Sequence, residues 1–249
     1  MQKKIFIMGA STGIGKALAI NYANEEVVLG LASRRIDLLK IIKEECKSLK
    51  CKIFIYKTDV RKKSECEQSA KSFIEVAGGI DILIANSGVG SSDEIFSGSS
   101  EKINRVLETN ILGVTNTILP FLPRMKEQKS GSIVVVSSVA SFIPIPHKGG
   151  YSASKVAVRR LFDSWRPILV ENGIKAISDS LVVQLELSPV PLYKNEKNLS
   201  YVSNLMEKLN FNLNMFSNIN TRSFKPIIFG NNTGNGLNTI FQLDCVFVK

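Results

Sequence analysis

Tyr151 and Lys155 stand four residues apart in Tyr151-Ser-Ala-Ser-Lys155, so on a helix they share one face, a single turn apart. A free phenol ionises near pH 10, too high for a proton shuttle at neutral pH. An ammonium about 5 Å away, in an effective dielectric of about 20, favours the phenolate by roughly 3 kcal/mol. A tyrosine so placed can give a proton to a carbonyl as hydride arrives, or take one from an alcohol in reverse. Taken alone, Y-x-x-x-K is frequent by chance, and a surface pair is its plain alternative.

A second group of residues suits a phosphate. Gly9-Ala-Ser11-Thr12-Gly13-Ile14-Gly15 directly follows an apolar run, Lys4 to Met8, and precedes a helix-forming one. Strand, glycine turn and helix in that order let the backbone approach a pyrophosphate, while the helix N-terminus offers free amides and about half a positive charge. About 20 residues further on, a fold specific for NAD would carry Asp or Glu to hold the ribose 2′-hydroxyl. Here the chain reads Ala32-Ser33-Arg34-Arg35. No carboxylate stands there to repel a 2′-phosphate, and two guanidiniums can grip one, so the reading is NADP(H) preferred with NAD(H) as the weaker option. The plain alternative is that Arg34 and Arg35 begin a solvated helix.

These residues need a scaffold that presents them together. Short β-branched runs alternate with amphipathic stretches, the pattern of an α/β fold with a parallel sheet covered on both faces. Strands are expected at Lys4–Met8, Val27–Ala32, Lys52–Tyr56, Ile80–Ala85, Ser132–Ser137 and Ile174–Val183. Helices are expected over 13–24, within 36–49, over 62–77, over 101–129 with disturbances near Pro120 and Pro123, and over 151–171 with a bend at Pro167. Beyond Val183 asparagine is frequent and helical periodicity fades; Lys225–Phe229 and Thr239–Val248 are the remaining candidate strands.

The 249 residues, 44% of them hydrophobic, suit one large domain. The N-terminal apolar stretch is too short for a secretory signal and no apolar run approaches ~20 residues, so the chain is expected to be cytoplasmic and without a membrane partner. Cys46, Cys51, Cys66 and Cys245 form no C-x-x-C pair and no metal cluster with the single histidine, His147, which reads as a surface imidazole or a lining residue of a substrate pocket. The net charge of +10 is spread along the chain without a run of five basic residues; a solvated surface is preferred to a nucleic-acid partner.

Taken together these motifs resemble the short-chain dehydrogenase/reductase family over about residues 3 to 183, in the family's order. The glycine motif matches Gly9, Gly13 and Gly15. Asp59, in Thr58-Asp59-Val60, matches the acidic residue that holds the adenine, and Asn86-Ser87-Gly88 is similar to the family's Asn-Ala-Gly turn. Asn110 matches the helix-borne catalytic Asn, and Ser138 the catalytic Ser, thirteen residues before Tyr151. Ser137 competes for that last role, because strand alternation points the two hydroxyls to opposite faces.

The resemblance implies a single Rossmann-like domain with a doubly wound parallel sheet in three α/β/α layers. It also implies an oxidoreductase in which Tyr151 is the general acid/base and Ser138 binds the substrate oxygen, while Lys155 contacts the nicotinamide ribose and Asn110 supports a water in the proton relay. A small carbonyl or alcohol substrate and a homodimer or homotetramer, joined through the helices near 101–129 and 151–171, are further implications. Met8 replaces the family's usual Thr. After the sixth strand, Leu185-Glu-Leu-Ser-Pro189-Val-Pro191 lacks the expected Pro-Gly, which opens an alternative reading as a catalytically impaired NADP-binding or regulatory homologue.

Overall fold

Alternating side chains of the first strand divide the core. In β1 (Lys3–Met8), Ile5 and Ile7 belong to one buried cluster and Phe6 and Met8 to another, as the two-residue period of a strand requires when both faces of its sheet are covered. The computed structural model describes residues 2–47, 50–142 and 144–177, and the backbone of 183–187, 212–223 and 239–248. The chain forms two compact units, Met1–Asp179 and Ser180–Lys249.

In the first unit β1, β2 (Val27–Ser33), β3 (Lys52–Lys57), β4 (Ile82–Ala85), β5 (Gly131–Val135) and β6 (Ile174–Ile177) form one sheet in the order β3-β2-β1-β4-β5-β6. Every pairing is parallel. Helices α1 (Gly13–Ala23) and α2 (Ile36–Glu45) bury Ala19, Ala23, Leu39 and Ile42 against Ile5, Ile7, Leu29 and Leu31. On the opposite face α3 (Lys63–Ala77) contributes Cys66, Ala70 and Phe73, and α7 (Gly149–Glu171) contributes Val158, Phe162 and Leu169. Phe6 lies 5.2 Å from Phe73 and 4.9 Å from Phe121 between ring centroids, so aromatic packing fixes the sheet to this helical layer. All seven residues of β2 are buried, as in an interior strand of a doubly covered sheet. This is the Rossmann-like α/β/α fold.

The expected helix over 101–129 is broken more often than its prolines require. It comprises α4 (Glu101–Leu107), a π-helical turn (Glu108–Leu112), α5 (Gly113–Ile118), a 3-10 turn (Leu119–Phe121) containing Pro120, and α6 (Leu122–Gln128). The π turn, centred on Asn110, is not a proline effect. Helix α7 begins at Gly149, two residues before the expected Tyr151, and continues through Pro167, whose missing amide removes one backbone bond without ending the helix.

The described part of the expected strand Ile174–Val183 in this sheet is Ile174–Ile177, and Val183 itself belongs to another strand. The next described segment, β7 (Val183–Leu187), belongs to a separate three-stranded antiparallel sheet in the order β7-β9-β8, with β8 at Asn212–Ser223 and β9 at Thr239–Val248. The expected strand Thr239–Val248 is present; Lys225–Phe229 and Ser188–Pro191 lie outside the described residues. Strand β8 falls in the asparagine-rich stretch where no strand is expected from sequence.

Candidate functional site

Strand order reverses between β1 and β4, and in open parallel sheets the crevice beyond the strand ends at such a point receives ligands. Gly9 follows β1 and Asn86 follows β4, and the Asn86 amide donates to the Gly9 carbonyl at 3.0 Å, tying the two turns together. A cleft opens there, lined by the 9–12 turn, Ser33 to Arg35, Thr58, Val60, and Asn86 to Val89. Gly13 has a φ of +57°, a conformation that glycine adopts without strain. Gly15 meets a different demand: a Cβ there would lie 2.2 Å from the Gly9 carbonyl oxygen, so the helix can start this close to β1 only without a side chain.

Several features of the cleft suit an anion. The first turn of α1 holds no acidic residue, and Thr12 supplies no side-chain cap. Its hydroxyl instead accepts from an Arg35 guanidinium nitrogen at 2.7 Å, and the Ser11 hydroxyl accepts from the same nitrogen at 2.9 Å. Arg35 is thereby folded over the glycine turn, while Arg34 is exposed beside it. Among the described residues the Thr58 hydroxyl, buried at the cleft, has no hydrogen-bond partner, an orphan that a bound polar group would satisfy. Glycine turn, uncompensated helix end, two arginines and an unpaired hydroxyl together fit a dinucleotide.

Further along the same crevice the π turn presents the Asn110 side chain. Its oxygen accepts from the Val89 amide at 2.8 Å, and its nitrogen donates to the Val89 carbonyl and the Ser154 hydroxyl, each at 2.9 Å. The loop after β4 is thus clamped to α7. One residue beyond Ser154, the Lys155 ammonium donates to the Val136 carbonyl at 2.9 Å and sits 5.7 Å from the centre of the Tyr151 ring. Lys155 is only 5% exposed, and this burial pushes its pKa down to about 8. Ser138 lies two residues past Val136, and its hydroxyl accepts from the Ala140 amide at 3.1 Å.

Residues 3–178 match the short chain dehydrogenase family. The chain belongs to that family. An uncharacterised oxidoreductase of Listeria monocytogenes is 34% identical to this short-chain dehydrogenase over 171 residues, 69% of either chain. An alcohol dehydrogenase from the archaeon Thermococcus sibiricus, solved in complex with 5-hydroxy-NADP, superposes with a TM-score of 0.64 at 33% identity over 69% of this chain and 72% of that one. Carveol dehydrogenase from Mycobacterium avium, solved with NAD, gives 0.66 at 26% identity over 69% and 67%. The protein is an NAD(P)-dependent dehydrogenase/reductase of the short-chain family.

Within this short-chain dehydrogenase, Gly9, Ser11, Thr12, Ser33, Arg34, Arg35, Val60, Asn86, Ser87 and Gly88 all line the cleft, whereas Gly13, Ile14 and Gly15 form the adjoining helix start. Asn110, Tyr151 and Lys155 come together through Val89, Gly90 and Ser154; a Cβ built on Gly90 would be 3.5 Å from the Tyr151 ring. Asp59 is nine-tenths buried and does not face the cleft freely: its carboxylate accepts from the Arg61 guanidinium, which holds its pKa below the ordinary carboxylate range. Ser137, the competing serine, has a buried hydroxyl without a partner among the described residues. His147 is exposed, with a φ of +62°.

Two supporting residues are not legible from motif spacing. Asp93 accepts hydrogen bonds from the Gly149 and Gly150 amides, the latter at 3.1 Å, capping the helix that carries Tyr151. The Asp93 amide in turn donates to the His147 carbonyl at 2.9 Å. Arg61 is the other. A carboxylate in the loop after β4 and glycines before Tyr151 are visible in sequence, but nothing local says that they meet.

Proposed function

We propose that this protein transfers a hydride between NADP(H) and a carbonyl or alcohol substrate, using Tyr151, Lys155, Ser138 and Asn110. The observation that carries this is the buried Lys155 ammonium anchored on Val136 beside the Tyr151 ring, one turn along α7. The nicotinamide, when bound, supplies or accepts the hydride. Tyr151 moves the accompanying proton to or from the substrate oxygen. Lys155 favours the phenolate and binds the ribose. Ser138 accepts from the Ala140 amide through one lone pair, a bond that leaves its O–H to donate to the substrate oxygen. Both N–H groups of the Asn110 amide are committed, so its contact with a relay water is made as an acceptor.

NADP(H) is preferred on this reading because Arg34 and Arg35 line the cleft and β2 ends without a carboxylate. The complex of the archaeal relative with 5-hydroxy-NADP supports it; the NAD complex of carveol dehydrogenase shows that the fold takes either cofactor. On the same reading the adenine lies near Asp59 and Val60, and the enzyme is cytoplasmic, in keeping with the free thiols of Cys46, Cys51 and Cys66.

The test is a fluorescence titration with NADPH and NADH, followed by a panel of aldehydes, ketones and alcohols with the tighter cofactor. Tyr151→Phe is expected to lower kcat by about a thousandfold, within the range for loss of a proton-transfer group, while NADPH binding stays within about twofold. Turnover unchanged in that variant removes Tyr151 from the mechanism. NADPH binding without turnover on any member of the panel favours the impaired homologue.

A further inference from the structure

The guanidinium of Arg61 wraps the Asp59 carboxylate. Its Nε lies 3.1 and 3.2 Å from the two carboxylate oxygens and one terminal nitrogen 2.6 Å from Oδ2. Asp59 is held from two further directions: its Oδ1 accepts from the Arg61 backbone amide at 3.1 Å, and its own amide donates to Glu65 at 2.8 Å. Both backbone anchors would survive loss of the Arg61 side chain. Thr58 and Val60, on either side of Asp59, line the cofactor cleft together with Arg34, whose positive charge is the smallest of the causes that hold the Asp59 pKa down. Asp59 is therefore a carboxylate that, left uncovered, would repel a 2′-phosphate and draw Arg34 away from it.

We propose that Arg61 sets cofactor selectivity as a positioning residue: by occupying Asp59, it leaves Arg34 available to the 2′-phosphate of NADP(H). The inference rests on the NADP(H) reading above. Arg61 needs no contact with the cofactor for this role; it removes a competitor for Arg34 and neutralises a charge between two residues that line the cleft. The bidentate geometry matters, because a planar fork covers both carboxylate oxygens at once.

Dissociation constants for NADPH and NADH, measured by fluorescence on the full chain, decide the matter as a ratio. Wild type is expected to favour NADPH. Arg61→Ala is expected to lower that preference at least about fivefold, the size of one screened charge interaction. Adding Asp59→Asn to Arg61→Ala should return the preference toward wild type, since the competing charge is gone. A general loosening of the loop would weaken both cofactors together and would not be rescued by Asp59→Asn. Should Arg61→Ala fail to fold, Arg61→Gln keeps the stem, removes the charge and reads the same ratio. A wild-type ratio near one overturns the NADP(H) reading and this inference with it. A wild-type preference that survives unchanged in the Arg61 variants overturns the inference alone.

Discussion

The Lys155 ammonium is almost fully withdrawn from water, and its hydrogen bond to the Val136 carbonyl does not repay the whole cost of dehydrating a cation. Its pKa in the fold is about 8, against 10.5 for the free side chain. Below pH 8 the lysine is charged in both folded and unfolded chains, and the burial cost is fully present. Between pH 8 and about 10.5 the folded state has released its proton while the unfolded state still holds one, so the stability contributed by this group rises with pH across that window. Lys155→Met lacks the titration. Denaturant unfolding of the two proteins from pH 7 to 10.5 should show wild type gaining roughly 3 kcal/mol relative to the variant. A parallel pair of curves would mean that Lys155 keeps a pKa near that of the free side chain and is better solvated than its burial indicates. The position of such a cation was legible in the sequence because Tyr151 and Lys155 are related by local helical spacing. Arg61 was not: its importance depends on which carboxylate it meets, and many arginines stand near acids in sequence without holding them.

At the scale of elements, α7 is the part whose placement matters most, since it carries Tyr151, Ser154 and Lys155. Its first turn has no acidic residue and Lys148 gives no side-chain cap, so its leading amides depend on Asp93, some 56 residues earlier in the chain. Asp93→Ala leaves two amides, one of them in the buried Gly150, without their acceptor, at a cost of about 1–3 kcal/mol. If the cap also sets the reach of Tyr151, kcat should fall about tenfold with NADPH affinity unchanged, and Asp93→Asn, which keeps one acceptor, should recover part of it. A variant that loses stability but retains kcat shows the cap to be structural only. Most strands and helices of the first unit were readable because short β-branched runs alternate with longer helix-forming stretches. The π turn at Asn110 was not, since nothing in Glu108-Thr-Asn110-Ile-Leu112 marks a switch to i→i+5 bonding; what accompanies it is tertiary, the hydrogen bonds of the Asn110 amide to Val89 and Ser154. Strand β8 escaped for another reason. Leu213, Met215 and Ile219 do keep an even spacing, but the intervening asparagines are poor strand formers and its pairing with β9 shifts register twice.

For the whole molecule, the family match ends at residue 178, and the first compact unit ends at Asp179. Within that unit the surface is not uniformly polar. Leu112 and Leu119 are 56% and 50% exposed on the segment from the π turn to α6, and Val156 and Ile168 are 42% and 61% exposed on α7. These are the two segments through which the family resemblance implies self-association, and a homodimer formed through either would pair the same apolar residues across a twofold axis. Burying them against a second copy would remove from water apolar side chains that a monomer leaves exposed. Light scattering after gel filtration should therefore return two or four times the chain mass of 27.4 kDa. The double substitution Leu119→Glu and Ile168→Glu places like charges on both segments, and it should shift the protein toward 27.4 kDa while the thermal transition of the remaining monomer stays cooperative. A wild-type mass of one chain at tens of micromolar would leave these residues as ordinary exposed side chains, and the double variant would then elute unchanged.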